Sequence, residues 1–227
     1  MPALNQFVRS KMSMVSFLSW SATVATVGFF LSGVLTCQKL IKTGSAENVP
    51  LLPFVTTFLN CMVWASYGFV KGDEALIPVN IIGMITQILY TLCFFMYCKD
   101  KGKEARTVVF AAIVSYFLYL YVVHFLENDK TRTRHLGFIC IIFTITMQAS
   151  PLATVAKVVK TRSTESMPFI FSFMMVLVSF LWLCYGTAVQ DINIQVPNAS
   201  GVVLGLIQLS LFCIYPSKPN NGKIQGN

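Results

Sequence analysis

Residues 35–50 (LTCQKLIKTGSAENVP) and residues 153–168 (ATVAKVVKTRSTESMP) share one pattern of polar residues. Both contain Lys-x-x-Lys-Thr-x-Ser-x-Glu-x-x-Pro, and the second occurrence lies 118 residues after the first. Self-similarity at a fixed spacing is typical of a duplicated structural unit. The sequence therefore predicts that the chain contains two copies of one unit.

The match continues without gaps on both sides of these stretches. Upstream, Ser32 and Thr36 align with Ser150 and Thr154. Downstream, six residues of the first copy recur in the second at the same spacing: Trp64, Tyr67, Gly68, Asp73, Asn80 and Gly83 align with Trp182, Tyr185, Gly186, Asp191, Asn198 and Gly201. The duplication therefore extends over most of the chain.

The composition indicates a membrane protein. Hydrophobic residues make up 55% of the 227 positions and charged residues 11%, which is too little charge to cover the surface of a soluble domain. The net charge of +8 fits basic loops beside membrane helices, so no nucleic-acid partner is expected.

Seven apolar runs are each long enough for one crossing, which needs about 20 residues. They lie near 17–38, 49–70, 75–98, 107–126, 136–157, 168–188 and 194–215. The run at 107–126 has no counterpart in the repeat. If both copies have the same orientation, this run returns the chain across the bilayer.

The predicted fold is an all-α membrane protein with seven transmembrane helices, arranged as two parallel three-helix bundles joined by one linker helix (3+1+3). The predicted domains are a first bundle at 17–98, a linker helix at 107–126, a second bundle at 136–215 and a cytoplasmic tail at 216–227. Eleven Lys and Arg residues fall on one side and six on the other. Because basic loops stay in the cytoplasm, this predicts an extracellular or luminal N-terminus and a cytoplasmic C-terminus.

The apolar runs contain no Asp, Glu, Lys or Arg away from their ends, whereas ion-coupled carriers usually place a charge at membrane depth. They contain two repeat-related pairs instead, Trp64 with Trp182 and Asn80 with Asn198. An Asn amide suits vicinal hydroxyls, and an indole face stacks on the C–H face of a pyranose. These pairs predict a symmetric sugar pocket. The alternatives are that Trp anchors the helix at the membrane interface and that Asn joins neighbouring helices.

Further candidates lie near the helix ends. Tyr67, Asp73, Tyr185 and Asp191 are candidates for an outer gate, with surface solvation as the alternative for the two Asp residues. Four prolines in or near helix ends are candidate hinges, because proline permits a helix to bend: Pro50, Pro53, Pro151 and Pro168. The alternative is that they only mark the ends of helices.

The chain resembles the SWEET sugar transporters, in the animal branch of the MtN3/saliva (PQ-loop related) proteins. The motifs that carry the resemblance are LLPFVTT at 51–57, WASYG at 64–68, PVN at 78–80, ASPLA at 149–153, KTRSTESMP at 160–168, WLCYG at 182–186 and VPN at 196–198. The resemblance implies bidirectional, uncoupled transport of mono- or disaccharides by alternating access. It also implies residence in the plasma membrane, the Golgi membrane or both.

Residue by residue, the resemblance implies that Asn80 and Asn198 bind sugar and that Trp182 lines the pocket, with Trp64 at the symmetric position. A bulky Trp64 favours a monosaccharide such as glucose. The four prolines of the family map to Gly33, Pro53, Pro151 and Pro168, so the first predicted hinge is a glycine here.

Two other functions stay open at this point: a proton-coupled amino-acid exporter of the PQ-loop type, and a membrane scaffold that transports nothing. Enzyme activity is not expected, because the runs contain no nucleophile–base pair or metal cluster. No cofactor and no metal are expected. The expected partners are a small-molecule sugar and the lipid bilayer, and homo-oligomerisation is left open.

Overall fold

The computed structural model of the chain describes residues 2–217, without the side chains of 2–8 and 125. Over these residues the chain forms nine α-helices and one π-helical segment, and no strand. The predicted tail at 216–227 lies outside the described residues, except for Pro216 and Ser217.

Two of the helical rods are interrupted at a single residue. Helices α1 and α2 meet at Ser32, and helices α6 and α7 meet at Gln148. Counting each interrupted rod once gives seven helical segments in the predicted order, which confirms the all-α, seven-helix class. The bounds are α1 Pro2–Leu31, α2 Gly33–Thr43, α3 Leu52–Lys71, α4 Leu76–Tyr97, α5 Lys101–Leu120, the π-helical segment Tyr121–Phe125, α6 Asp129–Met147, α7 Ala149–Thr161, α8 Phe169–Ala188 and α9 Ile192–Ile214.

The first helical rod includes the predicted apolar run at 17–38 and extends beyond it at both ends. It begins at Pro2 and continues through two lysines to Thr43. Lysine is a good helix former, so hydropathy marks the apolar part of a helix and misses its charged ends. The rod stops at Gly44, whose φ of 62° is left-handed and whose N–H donates to the Leu40 carbonyl. The fifth run was likewise too short, because α6 starts at Asp129 and α7 ends at Thr161.

Six helical segments among the described residues are long and apolar enough to cross a membrane, and α3 is not one of them. Helix α3 contains several polar residues, whose hydroxyls bond within the helix. Thr56 Oγ1 donates to the Leu52 carbonyl and Ser66 Oγ to the Met62 carbonyl, both at 2.9 Å. Its repeat partner α8 is one of the six.

The chain divides into two compact units. Among the described residues, one unit is 26–143, which holds most of the first copy and is called the first-copy unit. The other combines 2–25 with 144–217, holds most of the second copy and is called the second-copy unit. In the first-copy unit α3 packs along α4, around a core that includes Leu40, Phe54 and Phe94. In the second-copy unit α8 packs along α9. The predicted domain bounds follow the sequence repeat and remain a prediction.

Candidate functional site

The two repeat-related asparagines have the same local geometry. Asn80 is the fifth residue of α4 and Asn198 the seventh of α9. The Nδ2 of Asn80 donates to the Leu76 carbonyl at 2.7 Å, and the Nδ2 of Asn198 donates to the Ile194 carbonyl at 2.8 Å. This bond uses one of the two N–H groups of the amide and fixes the side chain against its own helix. Each amide is therefore oriented by the helix that carries it.

The two tryptophans also have the same surroundings in both copies. The rings of Trp64 and Tyr67 lie 5.8 Å apart at 89°, and those of Trp182 and Tyr185 lie 5.4 Å apart at 89°. This is the edge-to-face contact that aromatic pairs prefer. Both indoles are 7% exposed. Such burial argues against the alternative in which they are anchors at the lipid interface.

The two candidate gate aspartates cap helices. Asp73 Oδ1 accepts from the N–H groups of Ala75 and Leu76 at 3.1 and 3.2 Å, where α4 begins. Asp191 Oδ1 accepts from the N–H of Asn193 at 2.9 Å, where α9 begins. Both residues are buried, so surface solvation was the wrong alternative. The carboxylates fix the start of the helices that carry the asparagines, and the gate remains a prediction.

Two glycines keep these helices close together beside the tyrosines. A Cβ added at Gly68 would lie 2.8 Å from Leu76 Cβ, and one added at Gly186 would lie 2.9 Å from Ile194 Cγ2. Since any larger residue would push the helices apart, the repeated Tyr-Gly sequence is explained by packing. Within residues 9–217, no cluster of His, Cys, Asp or Glu could hold a metal ion.

The four predicted hinge residues fall into two classes. Pro53 is the second residue of α3 and Pro168 is the N-cap of α8, so both stand where a helix starts. Gly33 is the first residue of α2, and Pro151 the third of α7. Only these last two lie at the interruptions of the long rods.

At the first interruption, Gly33 makes room for Tyr90. A Cβ at position 33 would lie 2.7 Å from Cδ2 and 2.8 Å from Cζ of that ring. The Tyr90 hydroxyl donates to the Phe30 carbonyl at 3.0 Å, just before the interruption. The glycine is thus explained by close packing of α4 in addition to any hinge role.

At the second interruption, two glutamines take part that the sequence reasoning missed. Gln208 Nε2 donates to the Pro151 carbonyl at 3.3 Å. Gln148 Nε2 donates to the Pro197 carbonyl at 3.0 Å, and Ser200 Oγ donates to Gln148 Oε1 at 3.1 Å. An available signal was the repeat itself, because Gln148 and Gln208 align with Phe30 and Tyr90. Polar residues replace aromatic ones there.

Comparison with known proteins identifies the family. The family model described as a sugar efflux transporter for intercellular exchange (MtN3/saliva) matches the chain twice, at residues 16–102 and 134–220. The mouse sugar transporter SWEET1 is 38% identical over 204 residues, covering 88% of this chain and 91% of the mouse protein. The human sugar transporter SWEET1 is 35% identical over 206 residues, covering 89% and 92%.

A solved structure of a eukaryotic SWEET transporter matches the fold with a TM-score of 0.80 at 30% identity. The match covers 88% of this chain and 97% of the solved chain. Two family-model matches, curated relatives along nearly the whole chain and a shared fold agree. The chain belongs to the SWEET (MtN3/saliva) family of sugar transporters.

Proposed function

We propose that this protein is a facilitative, bidirectional sugar uniporter that carries glucose across a membrane by alternating access. The observation that carries the proposal is the repetition of one local geometry in both copies. Each copy presents an asparagine bonded to its own helix and a buried tryptophan packed edge-on against a tyrosine. The family membership and the relatives named as sugar transporters support the same function.

The chemistry of these four side chains suits a neutral pyranose. Asn80 and Asn198 offer amide donors and acceptors to neighbouring hydroxyls of the sugar. Trp64 and Trp182 offer large apolar surfaces for the C–H faces of the ring. Because the helix already orients each amide, little conformational freedom remains to be lost on binding. A tryptophan in both copies favours a monosaccharide over a larger sugar.

Uncoupled transport is supported by the placement of the carboxylates. Asp73 and Asp191 accept backbone N–H bonds at the starts of α4 and α9. The apolar runs contain no Asp or Glu away from their ends, whereas ion-coupled carriers usually place a charge at membrane depth. We further propose an extracellular or luminal N-terminus and a cytoplasmic C-terminus, in the plasma membrane or the Golgi membrane.

The test is uptake of radiolabelled glucose by proteoliposomes that contain the purified protein. Uptake should proceed at the same rate with and without a pH gradient. Asn80→Ala and Asn198→Ala should each reduce it strongly, while the three remaining side chains of the site still bind glucose weakly. The matched control is Asn48→Ala, since Asn48 is an exposed loop asparagine and should transport normally.

Three results would distinguish the rival functions. Uptake that stops when the pH gradient is removed would contradict uniport. Proton-driven export of amino acids, without sugar transport, would identify an exporter of the PQ-loop type. A protein that moves neither solute, and whose melting temperature no sugar raises, would be a scaffold, because a ligand that binds the folded state stabilises it.

A further inference from the structure

Gln148 occupies an unusual place in the second-copy unit. It is the single residue that separates α6 from α7, so its backbone lies at the interruption of that rod. The interruption follows from Pro151, which has no N–H to donate to the carbonyl four residues before it. A side chain that starts here moves with any change in the angle of the rod.

The amide of Gln148 bonds to α9 on both sides of Asn198. Its Nε2 donates to the carbonyl of Pro197, the residue before the asparagine, at 3.0 Å. Its Oε1 lies 3.1 Å from the hydroxyl of Ser200, two residues after the asparagine, and shares this donor with the Pro197 carbonyl, which lies 2.8 Å from the same hydroxyl. The Gln148 side chain thus contacts α9 on both sides of Asn198, at the backbone of Pro197 and at the side chain of Ser200.

The surroundings favour these two bonds. Gln148 and Ser200 line a cleft of about 530 Å³ along α7 and α9 whose other walls are apolar, among them Leu152, Val203 and Ile207. Hydrogen bonds are strengthened in apolar surroundings, and leaving them unmade is costly there. The amide therefore gains more from staying bonded to α9 than from releasing it.

The first copy has no glutamine at the equivalent position. Position 30 holds a phenylalanine, which has no amide. The Phe30 carbonyl is held by Tyr90, which lies ten residues beyond Asn80 on α4. A side-chain amide at this position of the rod is therefore confined to the second copy.

We propose that Gln148 is a positioning residue that fixes the orientation of Asn198 and links it to the interruption at the start of α7. The angle of the rod then sets the affinity for sugar in the second copy. This inference rests on the proposed function, in which Asn198 binds the sugar.

The test is a double-mutant cycle on the full-length protein in lipid nanodiscs, with glucose as the probe and calorimetry as the measure of Kd. Gln148→Met keeps the length of the side chain and removes both bonds. It should weaken glucose binding about fivefold, a typical coupling for residues in one hydrogen-bond network. In an Asn198→Ala background, the same change should weaken binding no further.

The matched control is Gln195→Met. Gln195 lies on α9, as Asn198 does, and its Nε2 donates to the Gly186 carbonyl of α8 at 3.1 Å. The Kd of the Gln195→Met variant for glucose should stay within about twofold of the wild-type Kd. If Gln148→Met does not fold, Ser200→Ala removes one of the two bonds and should give a smaller loss of affinity in the same direction.

A Gln148→Met variant with unchanged Kd would overturn the inference. So would equal weakening in the wild-type and Asn198→Ala backgrounds, or a Gln195→Met effect as large as that of Gln148→Met. Different results would contradict the proposed function. These are a wild-type protein that binds no glucose, or an Asn198→Ala variant that binds glucose as tightly as the wild type. Either result would remove the basis of this inference as well.

Discussion

The interruptions of the two long rods are stabilised by different residues. In the first copy the interruption at Ser32 is packed by aromatic rings, and the Tyr90 ring lies 5.9 Å from that of Phe54. In the second copy the positions equivalent to Phe54 and Tyr90 hold Ser172 and Gln208. The first interruption is held mainly by packing, and the second by hydrogen bonds.

The completeness of the bonding also differs between the copies. The Tyr90 hydroxyl has a hydrogen-bond partner, because it donates to the Phe30 carbonyl. In the second copy, Ser172 Oγ and Gln208 Oε1 are the buried side-chain atoms without a hydrogen-bond partner, among the described residues. Unsatisfied buried groups cost stability, so the second interruption is expected to be the looser of the two. Looseness at that site would suit the change in rod angle that the proposed link to Asn198 requires.

The largest effect is expected from Gly33→Ala. The new Cβ would overlap the Tyr90 ring, and overpacking of this kind costs about 1–3 kcal/mol. Tyr90→Gln introduces the residue that the second copy has at the equivalent position, and it should relieve the clash. The double variant should therefore lose less stability than the sum of the two single losses. The melting temperature of the purified protein measures all three variants. Strictly additive losses would show that Gly33 is not required by Tyr90.

A smaller effect is expected from Tyr90→Phe. This change keeps the ring and removes a part-buried hydrogen bond to the Phe30 carbonyl, which costs about 0.5–1.5 kcal/mol. The melting temperature should fall by less than in Gly33→Ala. The control is Tyr116→Phe, because Tyr116 is exposed on α5 and its loss should be neutral. Equal melting temperatures for Tyr90→Phe and wild type would contradict the role of the hydroxyl.

A still smaller effect is expected from Gln208→Met, the corresponding change in the second copy. It removes a bond of 3.3 Å but also removes the unpartnered Oε1, so the two contributions oppose each other. The net change should be within about 1 kcal/mol. A loss larger than that of Tyr90→Phe in the same melting experiment would reverse the proposed ranking of the two interruptions.

The sequence predicted the fold well because the repeat and the apolar runs each extend over many residues. It also placed the tryptophans and asparagines correctly along their helices, since the duplication aligns them. It missed Gln148, Tyr90 and Gln208, because a single polar residue in an apolar run does not show which carbonyl it faces. That contact depends on where the neighbouring helix lies, and no periodicity encodes it.

The case of Gly33 shows where such a signal is available. In the family pattern, the position of Gly33 is a proline. The structure explains the glycine by the close approach of the Tyr90 ring. Gly33 and Tyr90 differ together from their repeat partners Pro151 and Gln208. This pair of positions, at which the two copies differ together, is in direct contact in the first copy.

The smallest effect, and one of opposite sign, is expected from Ser172→Ala. The hydroxyl is fully buried in α8 and has no partner, so removing it relieves a desolvation cost without breaking a bond. The melting temperature should rise slightly, by an amount that corresponds to less than about 1 kcal/mol. The matched control is Ser66→Ala in the first copy, where the hydroxyl donates to the Met62 carbonyl and its loss should bring no gain. If Ser172→Ala lowers the melting temperature while Ser66→Ala does not, the Ser172 hydroxyl has a partner in the folded protein, and this reason for a looser second interruption is removed.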